Sequence, residues 1–169
     1  MQVTTNAMKY FTLLAFTTLI LSTQAFAQFP LGSFQGFLSN NPFSEACNLN
    51  SGVIEVRDLG SKTLEMNWEE SGMFRSPLSG FCQNVFDATF TPTFENEWNV
   101  NFSNFNLIFG RATLENNVLT ITGQFSGASF RSFEAKMTMN DAQTSMSYVR
   151  IIGMFGGSDL FANGTLYKR

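Results

Sequence analysis

Beyond residue 50 the chain alternates between apolar and polar side chains. Leu64, Met66 and Trp68 are spaced by Glu65, Asn67 and Glu69, and Trp98, Val100 and Phe102 by Asn99 and Asn101. Ile54 and Val56 alternate with Val53, Glu55 and Arg57 in the same manner. A two-residue period places successive side chains on opposite faces of an extended strand, one facing a core and the other water. The pattern returns in Phe86, Ala88 and Phe90, in Phe133, Ala135, Met137 and Met139, in Met146, Tyr148, Arg150 and Ile152, and in Leu160, Ala162, Gly164 and Leu166. An apolar stretch from Leu31 to Leu38 opens the series.

Turn-forming residues punctuate these runs at Asp58–Lys62, Asn116-Asn117, Asn140–Thr144 and Gly156-Gly157-Ser158. Asparagine and glycine tolerate the positive φ of tight hairpin turns. Between Phe102 and Phe105 the apolar parity changes, which either a two-residue turn at Ser103-Asn104 or a β-bulge explains. Connections this short join antiparallel neighbours, because a parallel pair needs a crossover of roughly a dozen residues. The expected fold is therefore all-β, an antiparallel up-and-down meander of about eight to ten strands. Curling shut removes the exposed edges of such a sheet, so a closed barrel with the first strand beside the last is expected, with a β-sandwich as the alternative. One short helical turn is predicted near 42–47, where Asn41 serves as cap and Pro42 as first residue.

The first 27 residues differ from the rest. Lys9 is the only charge before Glu45, and Tyr10–Leu21 is apolar apart from Thr12, Thr17 and Thr18. Ala25 and Ala27 then place small residues three and one positions before a cut preceding Gln28. This is the layout of a cleavable export signal, and the apolar run falls short of the roughly 20 residues of a membrane-spanning helix. Residues 28–169 form a single domain, of a size able to bury a core. The expected location is periplasmic or extracellular.

Composition narrows the chemistry. All 13 acidic residues lie beyond the leader and only Lys9 of the 10 basic ones lies within it, so the domain is acidic and carries no basic stripe for nucleic acid. Its two cysteines, Cys47 and Cys82, are expected to form a disulfide, as an even count does in an oxidising compartment. Histidine is absent, which removes the commonest general base and the commonest zinc ligand. No Gly-x-Ser-x-Gly elbow occurs, and no loop carries Asp at alternate positions as calcium loops do. Neighbouring carboxylates such as Glu69-Glu70, Glu95 with Glu97, or Asp58 with Glu55 read as solvating charges. The chain is thus expected to use no metal, to need no cofactor and not to be an enzyme.

Of the 20 phenylalanines, all but Phe11, Phe16 and Phe26 lie beyond the leader, and with Trp68 and Trp98 they are too many for a monomer's surface. Some of these rings are expected to line a ligand cavity. Arg150 shares parity with Tyr148; if that face is inward, the guanidinium needs a carboxylate partner or an anionic ligand, whereas the opposite face, Val149 and Ile151, is at least as apolar. Trp68, Trp98, Tyr148 and Arg150 are the candidate ligand-binding residues.

The order of leader, opening strand, short turn, meander and closing strand resembles the calycin group of lipocalin-like barrels. Gly32-Ser33-Phe34 or Gly36-Phe37-Leu38 stands where lipocalins carry Gly-x-Trp. The resemblance implies an exported barrel whose partner is a small hydrophobic or amphipathic ligand. Two other readings are an envelope or extracellular structural or interaction protein with a filled core, and a small outer-membrane barrel. The last calls for strands of about 9 to 11 residues, against the six to eight that the pattern suggests.

Overall fold

The computed structural model describes residues 29–40, 46–75, 77–104, 107–127 and 129–169. The leader lies outside them. Ten strands follow one another in these residues: β1 (Gly32–Asn40), β2 (Cys47–Gly60), β3 (Thr63–Phe74), β4 (Phe81–Phe94), β5 (Glu97–Phe102), β6 (Leu107–Glu115), β7 (Val118–Phe125), β8 (Phe130–Met139), β9 (Ser145–Met154) and β10 (Leu160–Lys168). Each pairs antiparallel with the next, and β10 returns to β1, so the meander closes into a barrel and not a sandwich.

The alternation seen in the sequence is the alternation between lumen and solvent. Ile54, Met66, Trp68, Phe86, Phe90, Val100, Leu114, Ile121, Phe133, Met137, Met146 and Leu166 are buried inside. Their outward neighbours Glu55, Glu65, Asn67, Thr89, Asn101, Thr122, Lys136 and Thr165 form a polar wall. An outer-membrane barrel has the reverse arrangement, an apolar band outside and polar groups within. The outer wall therefore has the wrong polarity for that reading.

Closure depends on two glycines. In the seam between β1 and β10, Gly36 pairs with Leu166 and Gly164 with Leu38. A Cβ at Gly36 would stand 2.0 Å from the carbonyl oxygen of Thr165, and one at Gly164 would stand 2.1 Å from that of Phe37. The obstacle in each case is backbone, which cannot rotate aside. Hydrogen bonds from the Arg169 amide to the Ser33 carbonyl, 2.9 Å, and from the Lys168 amide to Thr144, 2.8 Å, anchor the end of the chain.

Turns obey the expected chemistry. Asn116 and Asn117 adopt φ of 49° and 63° in the two-residue turn between β6 and β7. After Phe102, Ser103 and Asn104 bend the chain, and the Asn104 amide folds back to donate to Val85 O at 2.6 Å and accept from Asp87 N at 3.2 Å. A register shift then separates Leu107 from Phe109, so a bulge changes the parity and Phe109 faces solvent.

One expectation falls mostly outside the described residues, and another is corrected. The helical turn near 42–47 falls mostly on residues 41–45, outside the described residues, and its last residue, Cys47, already opens β2. Cys47 is held extended because the Asn40 amide donates to its carbonyl at 2.6 Å and the Leu49 amide donates to Asn40 Oδ1 at 3.1 Å. Most strands are also longer than six to eight residues, with 14 in β2 and β4 and 12 in β3, while β5 and β7 have six and eight. Their ends were hidden because inward positions there hold Glu70, Gly72 and Asn84, which break the apolar pattern without ending the strand.

The seam sets the first expectation for experiment. Gly36→Val and Gly164→Val each force β1 and β10 apart, and chemical denaturation of either variant is expected to show a loss of about 2 to 4 kcal/mol, in the range of overpacked or strained interiors.

Candidate functional site

Inside the barrel, three polar residues meet among the hydrocarbons. Glu70 projects inward from β3 because it shares parity with Met66 and Trp68, and Arg150 and Tyr148 project from β9 on the far side of the lumen. Arg150 Nε donates to Glu70 Oε1 at 2.9 Å and Nη2 donates to Oε2 at 2.7 Å, a bidentate pair with side chains 0% and 1% exposed. Tyr148 Oη donates to Oε1 at 2.6 Å, and Asn84 Nδ2 of β4 donates to Oε2 at 3.1 Å. Four donors thus saturate one carboxylate. Arg150 also reaches the Leu160 carbonyl, 3.4 Å away at the start of β10.

A buried ion pair without such bonds costs more in desolvation than it returns; full hydrogen bonding is what makes it tolerable. The cluster carries no net charge. Burial, and next the Glu70 charge, raise the Tyr148 pKa well above its ordinary value, with the Arg150 charge opposing them. The phenol therefore stays a donor.

Above the cluster the lumen opens. A hollow of about 450 Å³ is lined by Ala46, Cys47, Phe74, Cys82, Gln83, Asn84, Phe86, Phe130, Arg150, Ile152, Met154 and Leu160. These residues come from β2, β3, β4, β8, β9 and β10, so the hollow lies in the barrel mouth itself. It exists because inward positions at this level are small or polar: Gly72, Asn84 and the Cys47–Cys82 disulfide, whose Cα atoms are 5.9 Å apart. Arg150 forms part of the floor and is shielded from solvent. The bridge joins β2 to β4 past β3, and in the chain-entropy description a loop of 35 residues contributes about 3 to 4 kcal/mol.

A second hollow, of about 860 Å³, sits at the opposite end. Its walls are Phe29, Leu31, Asp58, Lys62, Leu64, Trp98 and the segment Pro92–Asn96. All of these lie on one side of the barrel or on the segment leading into β1. Phe29 is wedged against Phe90 and Trp98, with ring centroids 5.4 Å and 5.2 Å away, and forms part of this groove's wall.

The four residues singled out from the sequence are therefore not one site. Tyr148 and Arg150 meet at the floor of the mouth. Trp98 lies at the other end, where its Nε1 donates to the Lys62 carbonyl at 3.3 Å. Trp68 is embedded in the core, stacked on Phe86 at 4.8 Å with Phe102 and Phe133 around it, and its buried Nε1 has no acceptor among the described residues. The inward face of β9 is the one bearing Arg150, and its partner is a carboxylate of the chain. Glu70 was passed over as a solvating charge, although its parity with Trp68 marked it as inward. Asn84 was missed as well; it too shares the parity of Phe86 and Phe90.

These features define a class, the closed calycin-like barrel with an opening at one end of the lumen. The chain is similar to the structure of an S-type phycobiliprotein lyase, CPES, from Guillardia theta, with a TM-score of 0.56 and 11% identity over 82% of this chain and 88% of that one. The sequence itself matches no family model and no curated protein. At this identity the likeness is one of fold alone. It nonetheless corrects the expectation that the chain is not an enzyme: a barrel of this kind carries a protein named as a lyase, so the lack of histidine and of a serine elbow does not set the fold apart from catalysis.

Two measurements test the cluster. Glu70→Gln removes the counter-charge of Arg150 in the core and is expected to cost about 3 to 5 kcal/mol in denaturant unfolding, whereas Glu70→Leu combined with Arg150→Met costs less than the single change. Tyr148 gives a pH signature. Its raised pKa means that the folded state holds its proton where the unfolded state, titrating near its usual value of about 10, has lost it. Stability from this group is whole below about pH 10 and falls above it, so Tyr148→Phe is expected to be less stable at neutral pH but to show a flatter alkaline decline in thermal unfolding.

Proposed function

We propose that this protein binds a small apolar or amphipathic molecule in the mouth of its barrel. The observation that carries the reading is the 450 Å³ hollow, which falls within the roughly 300 to 1,000 Å³ usual for ligand sites. Its wall is mostly apolar, with Phe74, Phe86, Phe130, Ile152 and Met154, and its polar groups converge at the floor in Asn84 and Arg150. A ligand's apolar body would lie among the rings and its polar group would face that floor. The calycin-like fold supports the reading, because such barrels offer an interior end to a ligand. The lower groove favours it less, because its charged groups, Asp58, Lys62 and Glu95, are exposed and do not converge on a buried floor. Trp98 belongs to that groove, and Trp68 and Tyr148 act beneath the site by fixing Phe86 and Glu70.

The reading includes export. Residues 1–27 have the layout of a cleavable leader, and the Cys47–Cys82 bridge suits an oxidising compartment. No helix among the described residues is long and apolar enough to cross a membrane.

Native mass spectrometry of the protein recovered from outside the cytoplasm is expected to show a chain beginning at Gln28 and an added mass that organic extraction removes. The emptied barrel is expected to bind 1-anilinonaphthalene-8-sulfonate at one site, and Ile152→Trp, which fills the hollow, to weaken that binding about tenfold without changing the circular dichroism spectrum. Equal binding by wild type and variant would place the ligand elsewhere.

A further inference from the structure

The rim of the same mouth carries large side chains that the fold does not cover. Met73 and Phe74 end β3, Leu78 lies in the following loop, Phe81 begins β4 and Phe155 follows β9, with exposures of 52%, 39%, 55%, 62% and 58%. Four of them belong to the β3–β4 hairpin, and Phe155 stands across the lumen from it after β9. Apolar tips thus flank an opening whose own wall is apolar. Elsewhere the outer wall is mostly polar, with Phe37, Leu59, Val85, Phe94, Phe109 and Tyr167 exposed on strands and turns; at the rim the exposed apolar groups are neighbours, and such a cluster marks an interaction surface.

Charge at this pole is sparse and positive. Among the described residues of its loops and strand ends the charged side chains are Arg75, Arg131 and Asp159. Arg75 directly follows Phe74, and its Nη2 lies 3.4 Å from Asn48 Oδ1. Arg131 follows Phe130, and its Nη2 lies 3.9 Å from Asp159 Oδ1. Cations set just behind aromatic and aliphatic tips match an anionic lipid surface, where rings sit at the headgroup boundary and guanidinium groups meet phosphate. Met73, Phe74, Leu78 and Phe81 share one hairpin, with Met73 paired to Phe81, so they make a small apolar tip beside Arg75 of a size that enters a headgroup boundary.

We propose that this rim docks the barrel, mouth first, on a membrane surface containing anionic phospholipid, with Phe74, Leu78, Phe81 and Phe155 entering the headgroup boundary and Arg75 and Arg131 facing phosphates. The docking rests on the rim alone. Where the mouth also binds an apolar ligand, docking lets that ligand pass between bilayer and hollow without crossing water.

The test is sedimentation of the mature protein with vesicles of phosphatidylcholine, alone or with one third phosphatidylglycerol. Binding to the anionic vesicles, weakened about tenfold or more by Leu78→Asp with Phe81→Asp and reduced by high salt, is the expected result. Phe94→Asp, at the opposite end, is expected to leave it unchanged. Three outcomes overturn the proposal: no association with either vesicle, equal loss from Phe94→Asp, or a dimer in lipid-free solution that the rim variant dissolves, which would assign the rim to a second copy of the chain. Circular dichroism of each variant separates loss of docking from loss of fold. Binding of 1-anilinonaphthalene-8-sulfonate to the rim variant in the absence of vesicles shows whether the hollow works without the dock.

Discussion

The structure turns on a carboxylate and a guanidinium that meet across the lumen. Glu70 and Arg150 come from strands on opposite sides of the closed sheet, so their bidentate contact fixes the width of the barrel at the level where they meet. Hydrocarbon contacts fill space but specify it loosely, since many arrangements of similar volume bury similar area. A pair with two parallel hydrogen bonds admits one arrangement. Tyr148 and Asn84 complete the set, and a shift of β9 against β3 by one pleat would leave two ionised groups without partners in the core.

The two poles of the barrel follow from the side chains stacked on either side of this cross-brace. Below it lie Met66, Phe34, Phe90 and Trp98, and the segment before β1 adds Phe29 as a wedge against two of these rings, beside the groove at that end. The stacked rings of Trp68 and Phe86 lie beneath Glu70 and Asn84 along β3 and β4, and beyond them toward the mouth the inward positions are Gly72 and a disulfide. Rings cannot close the lumen where the chain supplies none. The bridge compensates by tying β2 to β4 at the level where packing is thinnest, so the mouth stays open without the strands separating.

Most of the fold was legible because the two-residue period is written by every strand and read by one physical cause, burial of a single face. Asn116-Asn117 and the closing run Leu160–Leu166 declared a turn and a last strand as plainly as sequence can. The full length of β3 and β4 was less legible, because an inward Glu70 or Gly72 looks like a strand end when hydrophobicity alone is counted. The site was obscured for the same reason. Arg150 was marked as needing a partner on parity, yet the matching carboxylate on β3 carried the same mark and was read as surface charge. Trp98 shared composition with the candidate pocket but not its location, since no local pattern tells which end of a meander a ring will occupy.

What the barrel shares with the Guillardia theta lyase is an overall fold and not a set of residues, at a TM-score of 0.56 and 11% identity. A closed meander such as this one must turn alternate positions inward, join its strands by short hairpins and let the first strand meet the last. This chain meets the last demand with Gly36 and Gly164, whose missing side chains let the closing backbones touch. The remaining inward positions are free of that demand, and it is there that the sequence places its polar cluster and its opening. A barrel held by a cross-brace across its lumen and a bridge near the rim needs no further packing in its mouth, and that freedom is what leaves this end of the lumen open above the ring cluster.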